Sequence, residues 1–154
     1  MKDLNGLSEM QFMEKIAAAF DVNQSAEPVA PGQPGEFGMY LSGQWYKLNI
    51  HPELIPEDPV ARLDVSLLAN NLLEPVLGIS DPRTDVRIDF VGGVRGLEGL
   101  EKRIDSGEMT AAFSMFATTM EDLMAVADAN KVMPPKSTWF EPKLADGLVS
   151  HVLD

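Results

Sequence analysis

One stretch decides the predicted fold: Arg87-Ile88-Asp89-Phe90-Val91-Gly92-Gly93-Val94-Arg95-Gly96. Residues 86–91 have the composition of a short strand, the glycine pair predicts a turn, and Leu97 to Ser106 shows the apolar spacing of a helix. Met109 to Phe116 is a nearly continuous apolar run, typical of a strand buried on both faces. A strand, a helical crossover and a second strand at this spacing indicate a right-handed parallel βαβ unit.

These elements predict a single α+β domain. It has a mixed β-sheet with a βαβ core, flanking helices, and an N-terminal helix plus β-hairpin. The predicted segments, in order, are a helix (1–22), a loop (23–35), a hairpin (36–50), a buried helix (60–77), and the βαβ core with C-terminal strands (86–154).

The hairpin allows its register to be worked out. A two-residue turn at Ser42-Gly43 pairs Leu41 with Gln44. Tyr40 and Trp45 then become cross-strand neighbours on one face, an aromatic pair that we interpret as a brace or a cover for a neighbouring element. The opposite face receives the apolar set Phe37, Met39, Leu41, Tyr46, Leu48 and Ile50.

Helix signals flank the hairpin on both sides. Ser8 and Gln11 form a capping box at the start of a helix over Leu7 to Phe20, and Thr118 and Glu121 form a second box near the end of the chain. The predicted buried stripes are Leu97, Leu100 and Ile104 on one helix and Met120, Leu123, Met124 and Ala127 on the last one. Ser137 to Glu141 and Leu148 to Leu153 are candidate strands.

Composition excludes several classes of function. The chain has 154 residues, no cysteine, and 24 acidic against 12 basic residues, for a net charge of −12. This charge repels nucleic acid and anionic lipid, and the absence of cysteine removes thiolate chemistry and fits a reducing compartment. No window approaches the roughly 20 apolar residues of a membrane span, and the chain starts without an apolar targeting segment. We expect a cytoplasmic protein with no nucleic-acid or membrane partner.

The candidate site is an anion-binding turn. A glycine turn between a strand and a helix directs backbone N–H groups and the helix dipole at one point, where a phosphate or carboxylate binds. We predict the anion contacts to be Gly92, Gly93, Arg95, Lys136, Ser137, Thr138 and Lys143, with Asp85, Asp89 and Glu141 as nearby carboxylates. The alternative is structural: tight turns need glycine without any ligand, and ion pairs explain the carboxylates equally well.

Two other sets of polar residues are assigned no site. His51 and His151 stand alone, so we predict no metal site. Asp64, Asn70 and Asn71 lie in or beside the apolar segment 60–73, and we interpret them as solvent-facing or locally hydrogen-bonded.

Six segments of the chain resemble, in order, the C-terminal half of a prokaryotic family known as domain of unknown function 1015. The segments are 2–7, 63–68, 73–78, 87–93, 105–109 and 133–144, the last reading Met133-Pro134-Pro135-Lys136-Ser137-Thr138-Trp139-Phe140-Glu141-Pro142-Lys143-Leu144. The resemblance implies a longer parent protein whose N-terminal half is a partner of this domain. For some members it also implies phosphorylation of free serine. It assigns no catalytic residue to this chain.

Two classes of function stay open at this point. In the first, the domain is one wall of a small-molecule site of the phosphate or nucleotide type in a larger enzyme, an amino-acid (serine) kinase by the resemblance, with ATP or ADP as cofactor. In the second, it is a non-catalytic structural or dimerisation domain, for which a homodimer is one possible form.

Overall fold

The computed structural model describes residues 1–135 together with Ser137 and Thr138. The predicted strand Leu148 to Leu153, and most of the predicted strand Ser137 to Glu141, lie outside the described residues. Within them, helices pack on both faces of a four-stranded sheet, which confirms the predicted α+β class. The strands are β1 (Phe20–Ser25), β2 (Glu36–Leu41), β3 (Gln44–Ile50) and β4 (Ala111–Met115).

The helices follow the predicted order. They are α1 (Glu9–Ile16), α2 (Asp64–Leu68), α3 (Gly96–Asp105) and α4 (Met120–Asp128). A π-helical turn, Ala69–Leu73, continues α2, and short 3₁₀ turns cover Pro52–Leu54 and Gly93–Arg95. The Ser8 capping box is confirmed: the Ser8 N–H donates to Gln11 Oε1 at 3.0 Å, and the Gln11 N–H donates to Ser8 Oγ at 3.3 Å.

The hairpin register is confirmed. Leu41 pairs with Gln44 across the two-residue turn, and Tyr40 pairs with Trp45. The predicted apolar face contributes Phe37, Met39, Leu41, Leu48 and Ile50 to the main core, against α1 and the α2 region. Phe20 of β1 meets Phe37 edge-on, with ring centroids 5.7 Å apart.

The second face of the sheet is covered by α3. Tyr40 and Trp45 lie 5.1 Å apart between ring centroids and form a smaller core with Ile104, which Leu97 and Leu100 flank as predicted. Both aromatic polar groups bond to the helix: Trp45 Nε1 donates to Glu101 at 2.7 Å, and the Tyr40 hydroxyl donates to Asp105 at 3.0 Å. The aromatic pair therefore anchors α3 to the sheet.

The predicted βαβ core is wrong in the part of the chain that the structure describes. All three strand pairings there are antiparallel, in the order β1-β3-β2-β4, and residues 86–91 form no strand. Val86 is 78% exposed, and the N–H of Arg87 donates to Asp85 Oδ1 two residues before it. The Arg87 guanidinium donates to the carbonyls of Leu77 and Gly78. Local polar bonds thus hold this segment outside the sheet, and β4 pairs with β2 in the antiparallel sense.

Two further differences have a local cause. The predicted helix 1–22 is too long: α1 ends at Ile16, and Phe20 already pairs with Ile50 in the edge strand β1. β1 also takes the start of the predicted loop 23–35, and its exposed Asp21, Asn23 and Gln24 give a polar outer face. The last helix is capped by Thr119 and Asp122 rather than by Thr118 and Glu121.

This one-residue shift in the cap accompanies a different buried side of α4. Val126 is buried, whereas Met120 and Met124 are 61% and 58% exposed. Successive helical residues point about 100° apart, so the register of an amphipathic face is sensitive to a single position.

A close approach at Gly38 of β2 gives a stability test. A Cβ built there would lie 2.5 Å from the Val29 carbonyl oxygen and closer still to Ser114 Oγ, which donates to that same carbonyl at 2.7 Å. Gly38→Ala should therefore lower the free energy of unfolding by about 1–3 kcal/mol, the usual effect of overpacking. Urea unfolding measures this, with Gly32→Ala as the matched control, because a Cβ at Gly32 meets nothing within 4 Å. Equal stability of the two variants would contradict the packing described here.

Candidate functional site

A pocket of about 170 Å³ opens at the end of the sheet where β2 begins and β4 ends. Phe37 pairs with Met115, so the loop before β2 and the loop after β4 lie side by side. The start of α2 closes the third side. We call this the Asp64 pocket; it is lined by Pro34, Gly35, Ile55, Arg62, Leu63, Asp64, Leu67, Phe116, Ala117, Thr118 and Asp122.

Asp64 is the unusual side chain of this pocket. Its Oδ1 accepts the Gly35 N–H at 2.8 Å, whereas its Oδ2 is buried and has no hydrogen-bond partner among the described residues. Burial raises the pKa of Asp64 to about 6, and the nearby Asp122 carboxylate adds to the rise. The amides of Gly35 and Phe116 oppose it, although the Phe116 N–H does not reach Oδ2 with the geometry of a hydrogen bond. A carboxyl with this pKa beside a pocket exchanges its proton near neutral pH.

The other polar groups of the pocket come from three elements. Arg62 is exposed at the rim and forms no ion pair within the described residues. Asp122 belongs to the cap of α4, where its Oδ2 accepts both the N–H and the hydroxyl of Thr119. Thr118 donates its hydroxyl to the carbonyl of Ser137 at 2.9 Å. Within the described residues, the pocket therefore combines one cation, two carboxyls and a hydroxyl.

Part of the predicted anion site can be located. Gly92 precedes the 3₁₀ turn Gly93–Arg95 that leads into α3, and no side chain caps either helical segment. Arg95 is exposed. The turn is therefore open to solvent, as an anion site requires.

The other part lies elsewhere along the fold. Ser137 is held at the Asp64 pocket by Thr118, its hydroxyl donates to the Pro134 carbonyl at 2.6 Å, and Thr138 is exposed. No described hydrogen bond joins Ser137 or Thr138 to the glycine turn. Lys136, Lys143 and Glu141 lie outside the described residues, so the site as a whole stays a prediction.

The two described carboxylates of the predicted site are held in ion pairs. Asp85 binds Arg87 at 2.7 Å, and hydrogen bonds from Arg87 lower the pKa of Asp85. Asp89 binds Arg103 at 2.6 Å, and Arg103 also contacts Glu108. These pairs fasten residues 85–89 to the body of the domain, which agrees with the structural interpretation of these acids.

Sequence reasoning missed Asp64 as a site residue. Asn71, grouped with it, is locally hydrogen-bonded as expected, donating to the Leu67 carbonyl at 2.9 Å. Asp64 instead bonds Gly35, which is distant in sequence. The feature of the sequence that could have pointed to Asp64 is its position as an acidic residue inside the apolar run Leu63 to Leu68. Its partners could not be read from the sequence because they follow from the pairing of β2 with β4.

The described residues contain neither a candidate metal site nor a membrane-spanning helix. In residues 1–135, 137 and 138, no group of three or more His, Asp or Glu side chains could hold a metal ion. The helices of this same part of the chain are all too short or too polar to span a bilayer.

One family model matches part of the chain. The model of a family described as "Protein of unknown function (DUF1015)" matches residues 1–66, less than half of the 154 residues, so this N-terminal part of the chain is similar to that family. The matched region ends just after Arg62 and Asp64, so it includes one side of the pocket. Neither the curated proteins nor the solved structures gave a match to this chain.

The raised pKa of Asp64 predicts a pH-dependent stability. Between its ordinary value of 3.8 and the folded value of about 6, the folded chain binds more protons at Asp64 than the unfolded chain does. This contribution to stability is fully present below about pH 4 and is lost as the pH rises through about 6. Relative to Asp64→Asn, the wild type should lose roughly 1 kcal/mol of unfolding free energy over this range, since solvent screening reduces the full effect. Urea unfolding of both proteins checks this, and a pH-independent difference would show that the carboxyl is not perturbed.

Proposed function

We propose that this chain, whose first 66 residues are similar to the DUF1015 family, forms one wall of a small-molecule binding site, and that the molecule lies in the Asp64 pocket. The observation that carries the proposal is the carboxyl of Asp64. A buried acceptor without a partner costs about 1–3 kcal/mol, and a catalytic or binding role is one of the established reasons for a structure to keep such a group.

The surroundings of Asp64 support a binding role. Arg62 lies at the rim with its guanidinium uncommitted within the described residues, and Thr118 brings Ser137 to the same place. Ser137 belongs to the segment 133–144, the longest motif of the family resemblance. Apolar walls with a few convergent polar groups are the usual makeup of small-molecule sites.

The chemical identity of the ligand rests on the resemblance. A phosphate- or nucleotide-type molecule, and an amino-acid (serine) kinase with ATP or ADP, remain our proposal for the larger enzyme. The cytoplasmic location, the anion contacts at Gly92, Gly93 and Arg95, and the N-terminal half of the parent as a partner remain predictions with it.

A structural or dimerisation domain is the second candidate. It is favoured by the ion pairs of Arg87 and Arg103, in which both guanidinium groups are engaged in holding the fold. In this case the glycines are needed only for the conformation of the turn, and adding a nucleotide shifts no backbone amide of the chain.

An NMR titration separates these candidates. We expect ATP, ADP or L-serine, added to the ¹⁵N-labelled chain, to shift the backbone amides of Gly35, Phe116 and Thr118 in a saturable way. Asp64→Asn should weaken the binding of L-serine about tenfold or more, because a hydrogen bond between its ammonium group and a carboxylate contributes roughly 1.5–3 kcal/mol. Asp21→Asn is the matched control, since that carboxyl is 73% exposed on the edge strand β1.

The same spectra report the alternatives. Shifts confined to the amides of Gly93 and Gly96 would place the ligand at the glycine turn and overturn the Asp64 pocket as the site. Unchanged spectra with all three compounds would contradict the small-molecule proposal and favour the structural domain.

A further inference from the structure

We infer that the Asp64 pocket receives an organic ammonium group, a protonated amine carried by a small molecule or by one end of a larger one. This inference rests on the proposed function and specifies the class of ligand that the pocket takes.

The charges around the pocket favour a cation. Asp64 and Asp122 both line it, and Arg62, the one cationic side chain that the described residues place in the wall, is exposed at the rim. Among the described residues the carboxyls thus outnumber the guanidinium, on a chain whose net charge is −12. A phosphate group placed beside these carboxylates meets repulsion, whereas an ammonium group relieves the repulsion between them, so in a phosphate-type ligand it is the amine end that would lie here.

The unused acceptor atoms match the donors of an ammonium group. Asp64 Oδ2 has no partner among the described residues, and the cap of α4 occupies Asp122 Oδ2 but no described bond uses Asp122 Oδ1. An ammonium group has three N–H donors and no acceptor, so it can satisfy both carboxylates at once. Because Asp64 Oδ2 is closed to solvent, the carboxyl must turn toward the pocket when the amine binds.

The remaining wall selects an organic ion over a bare metal ion. Ile55, Leu63, Leu67 and Phe116 line the pocket and offer apolar contact to the carbon atoms of an amine. Calcium takes about six to eight oxygen ligands and magnesium six, so two carboxyls would leave most positions of either ion to water, against a largely apolar wall. The described part of the chain has no third acidic or histidine side chain that completes a metal-binding group here.

Binding of an ammonium should be linked to the protonation of Asp64. The groups that face Asp64 are the amides of Gly35 and Phe116 and the carboxylate of Asp122, with Arg62 and the Thr118 hydroxyl elsewhere in the wall. With a pKa of about 6, Asp64 is largely ionised at pH 7 and largely protonated at pH 5. Affinity for the amine should therefore fall about tenfold between these two pH values.

The test uses three probes of similar size and different charge. The ¹⁵N-labelled chain is titrated at constant ionic strength with ethanolamine, ethylene glycol and inorganic phosphate, and in parallel with magnesium chloride. We expect ethanolamine alone to shift the amides of Gly35, Phe116 and Thr118, about tenfold more weakly at pH 5 than at pH 7. Asp64→Asn should abolish the pH dependence and weaken binding at pH 7, while Asp21→Asn leaves both unchanged.

Each other result overturns the inference in a distinguishable way. If phosphate shifts these amides and ethanolamine does not, the pocket remains a small-molecule site but does not bind an ammonium group. If magnesium shifts them instead, the pocket is a metal site. Equal effects of ethanolamine on the wild type and Asp64→Asn would show that the carboxyl does not bind the amine. If ATP shifts the pocket amides while ethanolamine and L-serine do not, the ammonium ligand class is rejected but the proposed small-molecule function is kept.

Discussion

The antiparallel pairing of β4 with β2 is the constraint on which the rest of the structure depends. It makes β2 a central strand that is hydrogen-bonded on both sides. The β2 side chains of Phe37 and Met39 are fully buried. The pairing also brings the loop after β4 beside the loop before β2. β4 connects α3, which covers one face of the sheet, to α4, which begins beside the pocket. The pairing of β4 therefore also positions α4. One set of backbone hydrogen bonds thus determines both the core and the position of the candidate site.

Asp64 contributes to the fold and, in our proposal, to the binding of a ligand. Asp64 opens α2 within an apolar run, and its bond to the Gly35 amide ties α2 to the start of β2. An asparagine could accept the same N–H without burying a charge, so stability alone does not explain an acid at this position. Buried polar groups with incomplete bonding are kept where they serve a ligand or a reaction, and this one borders a pocket with a second carboxyl and a guanidinium.

Sequence reasoning succeeded where the physical signal is local. The hairpin register follows from a two-residue turn and a period of two, and the Ser8 box follows from a spacing of three residues. It failed for residues 86–91, because apolar composition cannot show that Arg87 bonds the Leu77 and Gly78 carbonyls instead of a neighbouring strand. It also missed Asp64, because a carboxyl is unremarkable until its environment is known.

The amino-acid sequence by itself determined the α+β class, the hairpin with its two faces, the helical stripe of α3 and the acidic charge of the chain, since each depends on residues close together in sequence. The tertiary structure alone decided the direction of β4, the buried face of α4 and the meeting of Arg62, Asp64, Thr118 and Asp122 around one pocket. The physical reason is that strand pairing and desolvation depend on groups up to dozens of residues apart, whose proximity no local pattern encodes.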